Sequence, residues 1–116
     1  MQNIILSPKN TTDRAEHLQF TESRAFYKAQ SDNMSPTIKQ GDGVVIEPYQ
    51  GGSIADGVYL LEVNSKPVLR RIHAKTDGGY SLINDNPNYT GETITRAALT
   101  PLILAKATGI ISFNPI

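Results

Sequence analysis

The residues able to do chemistry cluster in a few short stretches. The first is Ser31-Asp32-Asn33-Met34-Ser35-Pro36-Thr37-Ile38-Lys39-Gln40-Gly41-Asp42. Its Asp, Asn, Ser and Pro residues favour turns through side-chain capping or a fixed φ. It leads into the apolar run Val44-Val45-Ile46. A loop this stiff at the mouth of a strand can present one side chain at a fixed angle, and the side chain singled out is Asn33. Ser31 and Ser35 each lie two residues from it, about 6–7 Å along an extended segment. They are read as turn formers rather than displaced nucleophiles.

The second stretch is basic: Lys66, Arg70, Arg71, His73 and Lys75. Alternation along a strand divides these side chains between two faces, so a single anion-binding patch is not the favoured reading. Asp85, Asn86 and Asn88 offer oxygens, but without calcium-loop spacing a capped turn is expected. His17 and His73 stand far apart with no ligand spacing between them. The chain has no cysteine, which removes thiol nucleophiles, disulfides and cysteine-bearing metal sites. No cofactor and no metal are expected.

Three of these stretches, in order, resemble the LexA-like self-cleaving repressors of the S24 peptidase family and their signal-peptidase relatives. Those proteins carry a nucleophilic serine followed by Met, any residue and Pro, then Gly-Asp. Met34, Pro36, Gly41 and Asp42 match, with Asn33 at the serine position. In Pro67-Val68-Leu69-Arg70-Arg71-Ile72, Arg70 stands where the family places its lysine base and Arg71 where it places an arginine. Tyr80-Ser81-Leu82-Ile83-Asn84-Asp85-Asn86-Pro87-Asn88-Tyr89 is similar to the Ser-Asp-Asn-Pro-x-Tyr turn of phage CI-type repressors. The resemblance runs from about Phe26 to Phe113 and implies a LexA-like C-terminal fold.

The dyad chemistry implied by that resemblance makes demands this sequence does not meet. A desolvated, neutral lysine takes the serine proton, and the alkoxide attacks a backbone carbonyl. The Asn33 amide is no practical nucleophile for peptide cleavage. An arginine, with a pKa above about 12, is no base at cellular pH. Arg70 is expected either to donate to the Asn33 carbonyl oxygen or to reach solvent. The family also cleaves an Ala-Gly or Cys-Gly bond, and this chain contains neither dipeptide. The catalytic assignment is therefore none, with Asn33 and Arg70 as vestigial dyad positions on a degenerate peptidase fold.

Composition sets the remaining bounds. With 116 residues, 39% hydrophobic and 19% charged, the chain should form one globular domain. Eleven basic residues balance eleven acidic ones. Without a basic excess, direct DNA reading by this segment is not expected. No apolar run approaches the roughly 20 residues that span a bilayer, and no signal peptide opens the chain, so the expected setting is the cytoplasm of a bacterial host, with no membrane partner.

Turn signals divide the chain into short strands. Residues 1–24 read as a linker or N-terminal arm with one apolar run, Ile4-Ile5-Leu6, and a weak helical turn or two over Asp13 to Phe20. From residue 25 to 116 the pattern is β, with strands expected at Phe26-Tyr27, Val44–Glu47, Val58–Val63, Val68–Ala74, Tyr80–Ile83 and Glu92–Thr95. Asn64-Ser65-Lys66-Pro67 reads as a hairpin turn and Asp77-Gly78-Gly79 as another. Leu99–Phe113 reads as one long strand, or two with a bend at Gly109. The fold class expected is mostly β: coiled antiparallel sheets or a partial barrel.

With catalysis removed, the family's other task is assembly. The chain is expected to be the dimerising and higher-oligomerising domain of a temperate-phage CI-type repressor. Operator DNA would be bound by a separate N-terminal helix-turn-helix domain, and an antirepressor protein is a further candidate partner. Ile110, Ile111 and Phe113 are the candidate interface residues, with the domain's own core as the competing use for them. The alternatives are an active serine-lysine-type self-cleaving peptidase with a rearranged site, and a regulatory module that holds a peptide in the vestigial cleft.

Overall fold

The computed structural model describes residues 19–21 and 24–112. The chain forms one eight-stranded antiparallel sheet: β1 (Gln19–Thr21), β2 (Arg24–Lys28), β3 (Gly43–Pro48), β4 (Gly57–Val63), β5 (Lys66–Ala74), β6 (Tyr80–Ile83), β7 (Glu92–Ile94) and β8 (Ile103–Ile111). The order across the sheet is β1-β2-β3-β8-β4-β5-β6-β7. This is the mostly β, antiparallel architecture that the alternating apolar runs and frequent turns imply. Ile4-Ile5-Leu6, most of the Asp13–Phe20 segment, His17 and Phe113 lie outside the described residues. Gln19 and Phe20, read from sequence as part of a helical turn, belong instead to β1, where they pair with Phe26 and Ala25.

The sheet coils so that its two faces bury separate cores, and β4 shows why. Its apolar residues fall on both faces, as its sequence indicates. Leu60 packs with Ala25, Tyr27, Met34, Ile38, Val44, Ile46, Leu69 and Ala105. Its neighbours Tyr59 and Leu61 pack on the other side with Ile72, Tyr80, Leu82, Leu99 and Ile103. Fully burying each such side chain stabilises by about 1.5–3 kcal/mol. The central strands are therefore fixed from both faces. Register shifts between Val45 and Ile46 against β8, and between Leu60 and Leu61 against β8, let that strand bend from one core to the other.

The segment before β8 departs from the strand expected of it. Arg96–Leu99 forms a helical turn, α1, whose first amides are capped by Thr95: its hydroxyl accepts from the Ala98 amide at 3.2 Å. Thr100–Leu102 continues as a 3-10 turn with Pro101 near its start, where a missing N–H costs nothing. Leu99 is fully buried beneath it. A four-residue helix carries no readable period, so only the Thr95 cap could have revealed it. Beyond it, β8 runs unbroken through Gly109.

Close backbone approach fixes the 84–91 segment against β6. A Cβ on Gly91 would lie 2.5 Å from the Leu82 carbonyl oxygen, so only glycine fits there. The β4–β5 hairpin turns on Asn64 and Ser65 alone, with φ of +53° and +66°; Lys66 and Pro67 already belong to β5. Two positive φ values mark a type I′ turn, for which glycine is the favoured second residue. Ser65→Gly should therefore raise stability by about 1 kcal/mol. This reads as a higher urea midpoint with an unchanged m-value.

Candidate functional site

The loop between β2 and β3 is closed at its base by main-chain bonds. The Ala29 amide donates to the Asp42 carbonyl and the Gly41 amide to the Ala29 carbonyl, both at 2.9 Å. Within it, Ser35 donates to Asp32 and Ile38 to Met34, and the Asp42 carboxylate accepts from the Lys39 amide. The Ser35–Pro36 peptide bond is cis. Met34 and Ile38 are buried in the first core and anchor the loop, which turns Asn33 inward until it is 8% exposed.

Asn33 is the centre of a dense polar network. Its Nδ2 donates to the Leu69 carbonyl at 2.8 Å and to Asn84 Oδ1 at 3.0 Å. Its Oδ1 accepts from the Ser31 hydroxyl, and its main-chain carbonyl accepts from the Asn86 amide at 3.0 Å. Asn86 Nδ2 reaches the Asp32 carbonyl at 3.0 Å, the Tyr89 hydroxyl donates to the Asp32 carboxylate, and Asn84 Nδ2 donates to the Thr90 carbonyl. The 84–90 turn is thus stitched to the 31–42 loop. Asn86 also caps its own turn, with Oδ1 accepting from the Asn88 amide. Ser31 acts as a turn and network hydroxyl.

Arg71 holds the same turn to β5. Its Nε and Nη2 donate to the two Asp85 carboxylate oxygens, each at 2.8 Å, in a bidentate pair. Hydrogen bonding to Arg71 holds the Asp85 carboxyl below its ordinary range, against the opposing effect of burial, and the same bonds raise Arg71. Lys75 pairs with Asp77 at 3.5 Å. The basic stretch thus divides among separate partners.

Arg70 does not bond to the Asn33 side-chain oxygen; it is half-buried at the cleft and partnered by main chain. Its Nη1 donates at 2.9 Å to the Leu69 carbonyl, the oxygen that also receives Asn33 Nδ2. The Asn33 side-chain oxygen accepts from the Ser31 hydroxyl instead. The two positions equivalent to a dyad converge on a shared backbone acceptor rather than on each other. Beside them lies a cleft of about 280 Å³ lined by Tyr27, Gln30, Lys66, Pro67, Leu69 and Arg70, among others. Burial pushes the Tyr27 hydroxyl up to about 12, and it points at the Pro67 carbonyl, 3.4 Å away.

With this geometry the comparison with known proteins is direct: the profile of the Peptidase S24-like family matches residues 4–107. The chain belongs to that family. No curated protein matches it. Within this S24-like domain, the sequence located Asn33, Arg70 and the Asp85 turn. It did not locate Asn84, whose amide completes the Asn33 network, or the Leu69 carbonyl. A main-chain acceptor leaves no trace in residue types.

The apolar interface candidates separate in space. Ile111 pairs with Gly43 and shares a face with Val45, whereas Ile110 pairs with Val44 at the rim of the opposite, core-bearing face. They are 54% and 43% exposed. Phe26, not selected from sequence, pairs with Val45 and is 57% exposed, so it joins Ile111 on the outer face. Among the described residues no helix is long and apolar enough to cross a membrane.

Two outcomes follow from the polar network. Asn33→Asp would place an oxygen against the Leu69 carbonyl and Asn84 Oδ1, so it should cost more than Asn33→Ala, about 2–4 kcal/mol at pH 7. The deficit should shrink on acidification as the buried carboxyl regains a proton. For Asp85, a depressed folded value means the pair adds stability above about pH 4 and loses it as pH falls further. Urea midpoints of the wild type and Asp85→Asn should differ at pH 7 and draw together below pH about 4.

Proposed function

We propose that this S24-like domain does not cleave peptide bonds and serves as the self-associating domain of a phage CI-type repressor. The observation that carries the reading is Asn33. The side chain at the nucleophile position is an amide, buried, and bonded on both its nitrogen and its oxygen. The side chain at the base position is the Arg70 guanidinium, a group with donors and no acceptor, and it donates to main chain. A rearranged serine-lysine site would need a free hydroxyl beside a neutral lysine. Ser31 is hydrogen-bonded to Asn33, and Lys66, the lysine of the cleft lining, is exposed.

Assembly is supported by the outer face of β2, β3 and β8. Phe26 and Ile111 expose more than half their surface beside Val45, and Gly109, paired with Val45, adds no side chain there. A second copy covering it would remove this apolar area from water. Two copies held together would bind adjacent operator half-sites through a separate DNA-binding domain at high effective concentration. An antirepressor would act by competing for such a surface.

Sedimentation velocity over a concentration series should show a dimer and, at higher concentration, a larger species. Phe26→Glu and Ile111→Glu should each retain the wild-type circular dichroism spectrum and sediment as smaller particles, because an unpaired charge in a packed contact costs several kcal/mol. A wild-type domain that stays monomeric to hundreds of micromolar defeats the assembly reading. A gel of protein incubated at pH 7 to 10 should show an intact band. A specific cut lost in Ser31→Ala would instead establish a rearranged peptidase.

A further inference from the structure

The first half of β5 borders the cleft without offering it a usable edge. β4 pairs with β5 from Lys66 to Ile72, and β6 joins it only from Arg71 to Ala74. The main-chain acceptors on the cleft side are nevertheless in use. The Tyr27 hydroxyl donates to the Pro67 carbonyl at 3.4 Å, and the Leu69 carbonyl receives both Asn33 Nδ2 and Arg70 Nη1. Pro67 has no N–H to donate. A peptide laid there as an added strand would find few main-chain partners, so any ligand of this cleft must be held by side chains.

Those side chains suit a small anion with an apolar body. At about 280 Å³ the cleft lies just below the usual range of ligand sites, roughly 300–1,000 Å³. Tyr27, Pro67 and Tyr89 supply apolar walls. Among the described residues the lining contains Lys66 and Arg70 and no Asp or Glu, and the ion pairs near β5 use Arg71 and Lys75 instead. A guanidinium carries five N–H donors in a planar fork, and the bond to Leu69 engages one nitrogen. That bond steadies the half-buried fork against β5, with its remaining donors shaped for the paired oxygens of an anion.

We propose that this cleft binds a small organic anion, a carboxylate or phosphate carried on a single apolar ring, with the anionic oxygens on Arg70 and the ring against Tyr27, Pro67 and Tyr89. Lys66, exposed at the cleft, adds a second positive charge. An inorganic anion would meet the fork but leave the apolar walls in water. A neutral ring would cover the walls and leave the fork without a counter-charge. Nucleic acid would call for a wider basic surface than two cations in a chain of zero net charge. A bound ligand would touch the 31–42 loop through Ser31 and Asn33, β5, and Tyr89 of the following turn together, which is the placement of an effector. Tyr27 and Phe26 lie on opposite faces of β2, so the site is separate from the Phe26–Ile111 strip and the inference is independent of self-association.

The test is a titration of the ¹⁵N-labelled chain with benzoate and phenyl phosphate, against benzyl alcohol as the neutral body and acetate and inorganic phosphate as bare headgroups. Amide shifts should centre on Lys66–Arg70, Asn33 and Tyr89. At least one ring-bearing anion should bind about tenfold or more tighter than benzyl alcohol and than its own bare headgroup, and the tighter of the two identifies the headgroup. Arg70→Gln should keep the wild-type circular dichroism spectrum and erase the preference for anion over alcohol. Lys66→Gln, at an exposed position, should stay folded and lower anion affinity, which keeps the test open if Arg70→Gln does not fold. Absence of shifts at millimolar ligand, equal binding of benzyl alcohol, shifts centred elsewhere, or bare headgroups binding as tightly as the ring-bearing anions (an adventitious ion only) would overturn the proposal.

Discussion

The hydrogen bond from Asn33 to the Leu69 carbonyl organises the site. Leu69 lies on β5 where β6 has not yet begun, so this carbonyl has no strand to accept from. A buried acceptor left unpaired costs about 1–3 kcal/mol, so the fold must bring it a donor. Asn33 brings one and uses the second N–H of the same amide for Asn84. A serine in its place has one donor and a shorter reach, and could not satisfy both. An amide at this position therefore joins three segments of chain: the 31–42 loop, β5 and the turn after β6.

The neighbouring contacts extend this join. Arg71 grips Asp85 from β5, Asn86 reaches back to Asp32, and Tyr89 closes the outer rim on the Asp32 carboxylate. In the peptidase reading of the family, these surroundings hold a reactive pair. Here the same surroundings hold a neutral amide and a cation bonded to main chain, so the polar groups go into rigidity. Such networks specify a single arrangement when every member is satisfied. The consequence is a cleft whose walls are held firmly.

Much of this was legible in the residues. Apolar alternation with Gly, Asp and Asn turns located the strands from β2 to β7, and continuous apolarity in β4 signalled burial on both faces. The residue types at Asn33 and Arg70 already argued against dyad chemistry. What stayed hidden was contact between distant segments. Asn84 looks like any turn asparagine until β6 places it against Asn33. The orientation of Arg70 was open because the competing acceptor is a backbone oxygen. Phe26 appeared to be an ordinary alternating strand residue, and only the register with Val45 and the position of Ile111 reveal an uncovered face. The helical turn at Arg96–Leu99 was too short to show a period against the apolar stretch that follows.

The position of β8 has a consequence for how the molecule is made. This strand is the last of the eight in sequence, yet it lies at the centre of the sheet, between β3 and β4. Until residues 103–111 have been synthesised, the β1–β3 portion and the β4–β7 portion have no strand between them. Each exposes an edge, and the Leu60 core lacks Ala105. The nascent chain must therefore wait for its final strand before the two portions become one structure. That long-range closure places the domain among slow folders, with unpaired edges open to wrong partners during the interval.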